Sequence, residues 1–445
     1  MKRIEQARRS LRLPKWLLSI ALAAMVGGLA FAQSQPPITI LINTSPWLPS
    51  FQALVKDYEQ QTGNTVNLNI VPFNAMIQKS LNAVSSSTSE YDILNLNEQW
   101  YSQFYSGGLV TPIKDIDPSY SLPSQVIEYA YADRWDPKVG ASTKDGDVYG
   151  FPINGNIQLL FYRKDLFAQH NLQPPKTWAD VEKDAQILND PPNVYGFVTR
   201  TSPPNFNFQA WLHSYGGSII QLDQQTGTWS VNIDQPAALQ ALNEWLKLTW
   251  SYGPANYANM GQSDEIALMA SGHLAMFISA SAAESNFINP DTSSVVGKVG
   301  ATVTPGTSAD TRAPTSGIWV MGIPHNLPDA RKMAAAKFLE WAMTKDAEMA
   351  YAKAGGVPVR QDVYEELAKD PQYGWWMQAV ADSTPYIHAQ VRIKETPQIL
   401  AVVDRVLGQA VIKKMTAEEA LKQAATDIHD IMVKGGYMVA PLSGQ

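Results

Sequence analysis

Apolar residues in this chain recur with a period of two, then 3.6, then two again. That alternation restricts the fold to an α/β architecture with crossover connections. Ile38 to Ile42 is a short β-rich run, and Phe51, Leu54, Val55 and Tyr58 mark one helical face that Gly63 closes as a C-terminal cap. Val66, Leu68 and Ile70 alternate as a second strand, a helix through Met76, Ile77 and Leu81 follows, and Tyr91 to Leu96 is a third strand. This β-α-β-α-β start predicts an open, mostly parallel sheet. The pattern resumes after a loop region around 113–147. Ile157 to Tyr162 reads as a buried strand, and Thr177 caps a helix that has Asp180 in its first turn. Another helix opens at Asp234-Gln235-Pro236, His273 to Ser279 is strand-like, and the helical last third ends with the capping box of Thr416 and Glu419.

A chain of 445 residues has room for two or three domains of about 100–200 residues. Residues 1–32 predict an export signal. Lys2, Arg3, Arg8, Arg9, Arg12 and Lys15 form a basic region, Trp16 to Ala30 an apolar one, and Ala30-Phe31-Ala32 a small-x-small cleavage site. The apolar stretch falls short of the roughly 20 residues of a membrane span, so a retained N-terminal anchor is the lesser reading. Cleavage after Ala32 removes six basic residues and one acid, taking the net charge from −7 to −12. Acidic character argues against nucleic acid as a partner, because sequence-independent binding needs basic surface to displace counterions. With no Cys, disulfides, thiolate metal sites, a Cys nucleophile and a lipidated N-terminal Cys are all excluded. An exported protein without a lipid anchor points to the periplasm, with free secretion as the alternative.

Signatures of a phosphate-binding loop, a dinucleotide fold, a serine-hydrolase elbow and a zinc-protease helix are missing. The six His are far apart, and neither they nor any other residue set predicts a metal or cofactor site. Glu365-Glu366 and Glu418-Glu419 are adjacent and so point to different helix faces, unlike the carboxylate pair of a glycosidase. What remains is aromatic and amide chemistry. Trp47 follows Asn43-Thr44-Ser45-Pro46, Trp100 follows Asn97-Glu98-Gln99, Trp211 precedes Tyr215-Gly216-Gly217, and Trp319 follows Ser316-Gly317. Ligands of open parallel sheets bind at the carboxyl ends of strands. A sugar there offers C–H faces to aromatic rings and a rim of hydroxyls to amides, carboxylates and guanidinium groups. Trp245, Trp250 and Trp341, at helical spacings, are expected in the core.

Asp147-Val148-Tyr149-Gly150-Phe151-Pro152, then Leu160 to Phe167, then Pro175-Lys176-Thr177-Trp178 are similar to ordered blocks of one family. Tyr91 to Leu94, Gly107 to Pro112, Gly272 to Met276 and Val363 to Pro371 also look like its blocks, with Arg163 where Asn is usual. Over about residues 38–435 the chain resembles the extracellular solute-binding proteins of ABC importers, family 1, of the carbohydrate, maltose-binding-protein-like type. The resemblance implies a two-lobed α/β periplasmic-binding-protein fold of type II, with three hinge crossovers and a cleft that closes on its ligand. Crossovers would fall near Pro152-Ile153, Thr302-Val303 and Val357-Pro358. Residues 33–152 plus 303–357 would form the N-terminal lobe, and 153–302 plus 358–445 the C-terminal lobe.

By the same likeness, Ser45, Trp47, Asn97, Glu98, Gln99, Trp100, Asn154 and Asn156 line the cleft. Ser279 to Ala282 takes the place of a family block whose stacking Trp is Ala282 here, so Trp319 or Trp211 is the expected platform. Arg360 and Arg392 are expected either to complete the cleft, where they could meet an anionic solute, or to form surface ion pairs. These features together predict a non-enzymatic, monomeric receptor that captures a small carbohydrate or polyol and delivers it to an inner-membrane ABC permease. An exported carbohydrate-active hydrolase is the alternative, and a metal receptor on the same fold a minor third.

Overall fold

A computed structural model describes residues 36–442 apart from Ala130 and Gln224. The expected export signal and its cleavage site therefore lie outside the described residues. Among the described residues thirteen strands follow one another: β1 (Ile38–Asn43), β2 (Val66–Val71), β3 (Ile93–Asn97), β4 (Arg134–Trp135), β5 (Asp147–Val148), β6 (Gly150–Asn154) and β7 (Gln158–Arg163), then β8 (Tyr195–Val198), β9 (Ile220–Asp223), β10 (Thr228–Val231), β11 (Leu274–Ala280), β12 (Val299–Val303) and β13 (Trp319–Gly322). They form one five-stranded sheet of order β2-β1-β3-β13-β6, one four-stranded sheet of order β12-β7-β11-β8, and two small ribbons.

In the first sheet β1 runs parallel to β2 and β3, while β13 is antiparallel to both β3 and β6. The expected parallel sheet is thus present with one reversed strand, supplied from late in the chain. In the second sheet β7 is the reversed strand, antiparallel to β11 and β12, and β8 is parallel to β11. Each sheet consequently has one edge where the carboxyl ends of the like-directed strands gather beside the start of the reversed strand. Asn43, Asn97, Asn154 and Trp319 stand on that edge of the first sheet, with Trp319 in register with both Asn97 and Asn154. Val198, Ala280 and Gln158 stand on that edge of the second.

Local chemistry explains the elements. Gly63 ends the helix Leu48–Thr62 at φ 73°, the left-handed turn that glycine adopts without a Cβ penalty. Thr177 and Thr416 each cap a helix reciprocally with Asp180 and Glu419. Strand β8, Tyr-Gly-Phe-Val, is too short to stand out in the sequence. Its Gly196 is needed because a Cβ there would lie 2.3 Å from the carbonyl oxygen of Ala185 on the helix Trp178–Leu188.

Two hydrophobic cores result. The first joins Ile40, Ile42, Ile93 and Leu96 to the helical residues Phe51, Leu54, Phe338 and Leu339. The second joins Leu160, Phe197 and Ile278 to Trp178, Trp245, Val403 and Ile428. Trp245 is buried as expected, but Trp250 is 37% exposed. Five residues along a helix rotate a side chain by roughly 140°, away from the buried face. Trp250 instead donates to Val411 O and carries the Lys413 ammonium 4.5 Å from its ring centre. Trp341 is half-buried against Tyr58 and Phe338.

The chain passes from the first sheet to the second between β6 and β7, and back between β12 and β13. Gly155, in the first passage, donates to Val357 O at 3.0 Å. A Cβ at Gly155 would lie 2.5 Å from the backbone carbonyl oxygen of Pro358, so only glycine permits this approach. Gly317 N–H donates to Asn156 O, and His388 N–H to Pro314 O, tying the return passage to both neighbours.

Candidate functional site

Both gathered strand edges face one cavity of about 650 Å³. From the first sheet, Asn43 ends β1 and Thr44, Ser45 and Trp47 follow it, Phe73 follows β2, Asn97 ends β3 with Gln99 just beyond, and Trp319 begins β13. From the second sheet, Arg200 follows β8, while Ala280 ends β11 and Ala282 and Asn286 follow it. Asn156 and Gly317 come from the passages, Phe206 from a helix start, and Gln262, Ser263 and Ile266 from the first turns of the helix Gln262–Ala270. Gln390 closes the floor.

The first-sheet wall is aromatic. Trp319 packs 5.9 Å from Trp47 at 58° and 6.0 Å from Phe73 at 81°, measured between ring centres. Trp100 does not line the cavity; it backs the cluster, 5.1 Å from Phe73 and 6.2 Å from Trp319. These rings meet tilted or edge-on, none stacked face to face, and Trp47, Phe73 and Trp319 present ring surface to the cavity. Such surface suits the C–H faces of a sugar or polyol.

Amides supply the polar surface, and neighbours orient them. Asn43 accepts from Asn95 Nδ2 at 3.1 Å, Asn97 Oδ1 accepts from Gln99 N–H at 3.1 Å, and Asn156 Oδ1 accepts from Ala282 N–H at 3.2 Å. Ser45 Oγ is buried with no hydrogen-bond partner. Among the described lining residues there is no Asp, Glu, Lys or His, and Arg200 carries the one charge.

The other predicted site residues are held elsewhere. Glu98 is fully buried and accepts from Ser316 Oγ (2.8 Å), Ile318 N–H (3.2 Å), Gln390 N–H (3.2 Å) and Arg392 Nη2 (2.6 Å). It therefore binds the segment after β3 to the segment before β13 and to residues 390–392. In doing so it positions Gln99, Gly317 and Gln390 around the cavity. Arg392, paired with Glu98, lines a smaller cavity of about 180 Å³ beside the main one, with Gln209, His213 and Trp229. Arg360 is locked bidentately to Asp362 at 2.9 Å and donates to Met343 O, remote from the cavity. Asn154 Oδ1 accepts from Tyr351 Oη at 2.6 Å and Val357 N–H at 3.3 Å, so its amide braces the passages between sheets.

Ser279 points beneath the cavity and donates to Glu265 at 2.9 Å. Burial pushes that carboxyl up to about 8, against the Ser279 hydrogen bond and the nearby Arg200 charge. Trp211 lies in the second core, stacked on Trp178 with ring centres 3.9 Å apart and planes at 13°. Of the two candidate platforms, Trp319 is at the cavity and Trp211 is not.

Asn43 was accessible to the strand-end rule, since it ends β1, whereas Arg200 was not, because β8, which it follows, is too short to stand out in the sequence. Phe206, Gln262 and Gln390 follow no strand, and only the packing of helices and passages brings them to the wall.

Comparison with known proteins fits this geometry. Residues 43–349 match the family of bacterial extracellular solute-binding proteins. The mannitol-binding protein of Pseudomonas aeruginosa is 23% identical over 431 residues, covering 91% of this chain and 95% of that one. The erythritol/L-threitol-binding protein of Mycolicibacterium smegmatis is 24% identical over 355 residues, covering 75% and 72%. A ribitol-bound solute-binding protein from Agrobacterium radiobacter K84 superposes with a TM-score of 0.75 at 21% identity, over 89% of this chain and 98% of that one. A maltose-bound protein from T. maritima does so with a TM-score of 0.75 at 22% identity, over 89% and 99%. The two sheets, their reversed strands and the shared cavity are thus a two-lobed, type II binding fold, and this chain belongs to the bacterial extracellular solute-binding protein family.

Proposed function

We propose that this protein captures a small carbohydrate or polyol in the cavity between its two sheets and hands it to an ABC permease in the inner membrane. The observation that carries this reading is the wall of Trp47, Phe73 and Trp319 facing oriented amides at the strand ends. Relatives named for mannitol and for erythritol and L-threitol support it. The crossovers near Pro152-Ile153, Thr302-Val303 and Val357-Pro358 would act as the hinge. Residues 33–152 with 303–357 and 153–302 with 358–445 would be the closing lobes. Export to the periplasm and a monomeric, non-catalytic state belong to the same proposal. Against a hydrolase stands the lining itself: among the described residues no carboxylate reaches the cavity, and glycoside hydrolysis needs two.

Titration of the purified mature chain with alditols, monosaccharides and disaccharides tests the reading by calorimetry and thermal shift. At least one should bind, raise the melting temperature by mass action and change tryptophan emission. A panel in which no member binds would overturn it.

A further inference from the structure

The charges around the cleft are distributed unevenly. Of Arg200, Arg360 and Arg392, two are neutralised: Arg392 by Glu98 at 2.6 Å, and Arg360, remote from the cavity, by Asp362 at 2.9 Å. Arg200 differs. It lines the cavity, no carboxylate among the described residues lies within ion-pairing distance of it, and its Nε is buried with no hydrogen-bond partner.

Two carboxylates lie close enough for Arg200 to feel their charge, Glu265 and Asp404, and both are engaged by neutral donors. Asp404 accepts from Asn205 N–H at 2.9 Å and from Asn205 Nδ2 at 2.7 Å. Glu265 accepts from Ser279, and burial keeps its proton on at neutral pH. Across the cavity no lining carboxylate supplies a counter-charge. A guanidinium placed like this, in a cavity whose other described lining residues are uncharged, favours a ligand that brings the missing negative charge.

We propose that the preferred ligand is a monoanionic sugar acid or polyol acid whose carboxylate is bound by Arg200, while its hydroxylated chain lies between the Trp319 cluster and the amides. This rests on the cleft being a carbohydrate site and deepens that reading by fixing the charge of the solute. The relatives compared above are named for neutral alditols, so the assignment separates this chain from them. A carboxylate matches the planar fork of a single guanidinium bidentately. A phosphate dianion would leave half its charge uncompensated, because Arg200 is the one cation among the described lining residues.

The test is calorimetry with matched pairs that differ only at the oxidised carbon: gluconate against sorbitol, ribonate against ribitol, galacturonate against galactose, with glucose 6-phosphate as the phosphate arm. In the wild-type protein at least one acid should bind about tenfold or more tighter than its neutral partner and than the phosphate. Arg200→Gln should remove that preference, with the neutral partner's affinity changing less than about threefold. Arg200→Lys, which keeps the charge but not the fork, should fall between. Should Arg200→Gln fail to fold, the wild-type ratios and Arg200→Lys still decide. Neutral members binding as tightly as the acids, or the phosphate binding best, would overturn this inference and leave the carbohydrate reading intact. Absence of binding by every compound would overturn both.

Discussion

Trp211 and Trp319 are 0% and 6% exposed, so burial does not tell them apart, yet their ring faces have different fates. In the second core Trp211 and Trp178 lie face to face at 3.9 Å, and Trp178 Nε1 donates to Ser214 at 2.8 Å. Each ring covers the other's face, and the pair works as packing. At the cleft Trp47, Phe73, Trp100 and Trp319 meet at 46–87° and 5.1–6.2 Å. That herringbone buries ring edges against ring faces without pairing the faces off, and it leaves aromatic surface on a cavity. The arginines repeat the contrast: Arg392 is paired and structural, and Arg200 is unpaired and lines the site. Orientation of the neighbours, more than depth, separates a core residue from a binding residue.

The sharpest way to break this contrast is to remove the face-to-face pair. Trp211→Ala should cost about 3–5 kcal/mol of stability, read by denaturant melts, and leave ligand affinity of the folded protein nearly unchanged. A loss of affinity with little loss of stability would reverse the assignment. Glu98→Ala should be comparably severe, about 3–5 kcal/mol, because it leaves Arg392 buried without its carboxylate. Arg200→Gln breaks no ion pair and should move the ligand-free melting temperature far less than Glu98→Ala does. Equal shifts would place Arg200 in the structural class.

A smaller effect is expected at the cleft. Trp319→Ala should weaken binding of the carbohydrate or polyol ligand about tenfold or more, roughly 1.4 kcal/mol, with a lesser stability loss than Trp211→Ala. Full affinity in that variant would remove the stacking role.

The smallest effect concerns pH. Burial pushes the carboxyls of Glu265, Glu284 and Glu348 each up to about 8 from an ordinary 4.5. Between those values the folded chain holds protons that the unfolded chain has released. Their contribution to stability is therefore fully present below about 4.5 and is lost as pH rises through about 8. Glu284→Gln removes one such group, whose Oε1 is buried without a partner. Its melting temperature should fall less than that of the wild type between about pH 5 and about pH 8. An unchanged slope would show that Glu284 is ionised in the folded protein.

Much of the fold was legible in the chain because its signals are local. Apolar periodicity marked β1, β2, β3, β7 and β11, and capping residues placed the helix starts at Thr177 and Thr416. The strand-end rule together with the family resemblance led to Ser45, Trp47, Asn97, Gln99 and Trp319, all of which line the cavity. It did not separate them from Glu98 and Trp100, their immediate neighbours in sequence, since alternate residues beyond a strand turn in different directions. Residue type also could not say which arginine is neutralised. Glu98 and Arg392 are far apart in the chain, and their 2.6 Å contact depends on the passages between the sheets.

Residue order thus decided the element types, the caps and the small set of polar and aromatic side chains at strand ends, because propensity and periodicity act over a few residues. The tertiary structure decided which ring faces stayed unstacked, which carboxylates were withdrawn from the cavity and which guanidinium was left unpaired. Those properties are set by contacts between segments hundreds of residues apart, where burial and hydrogen-bond geometry determine what a charge is worth.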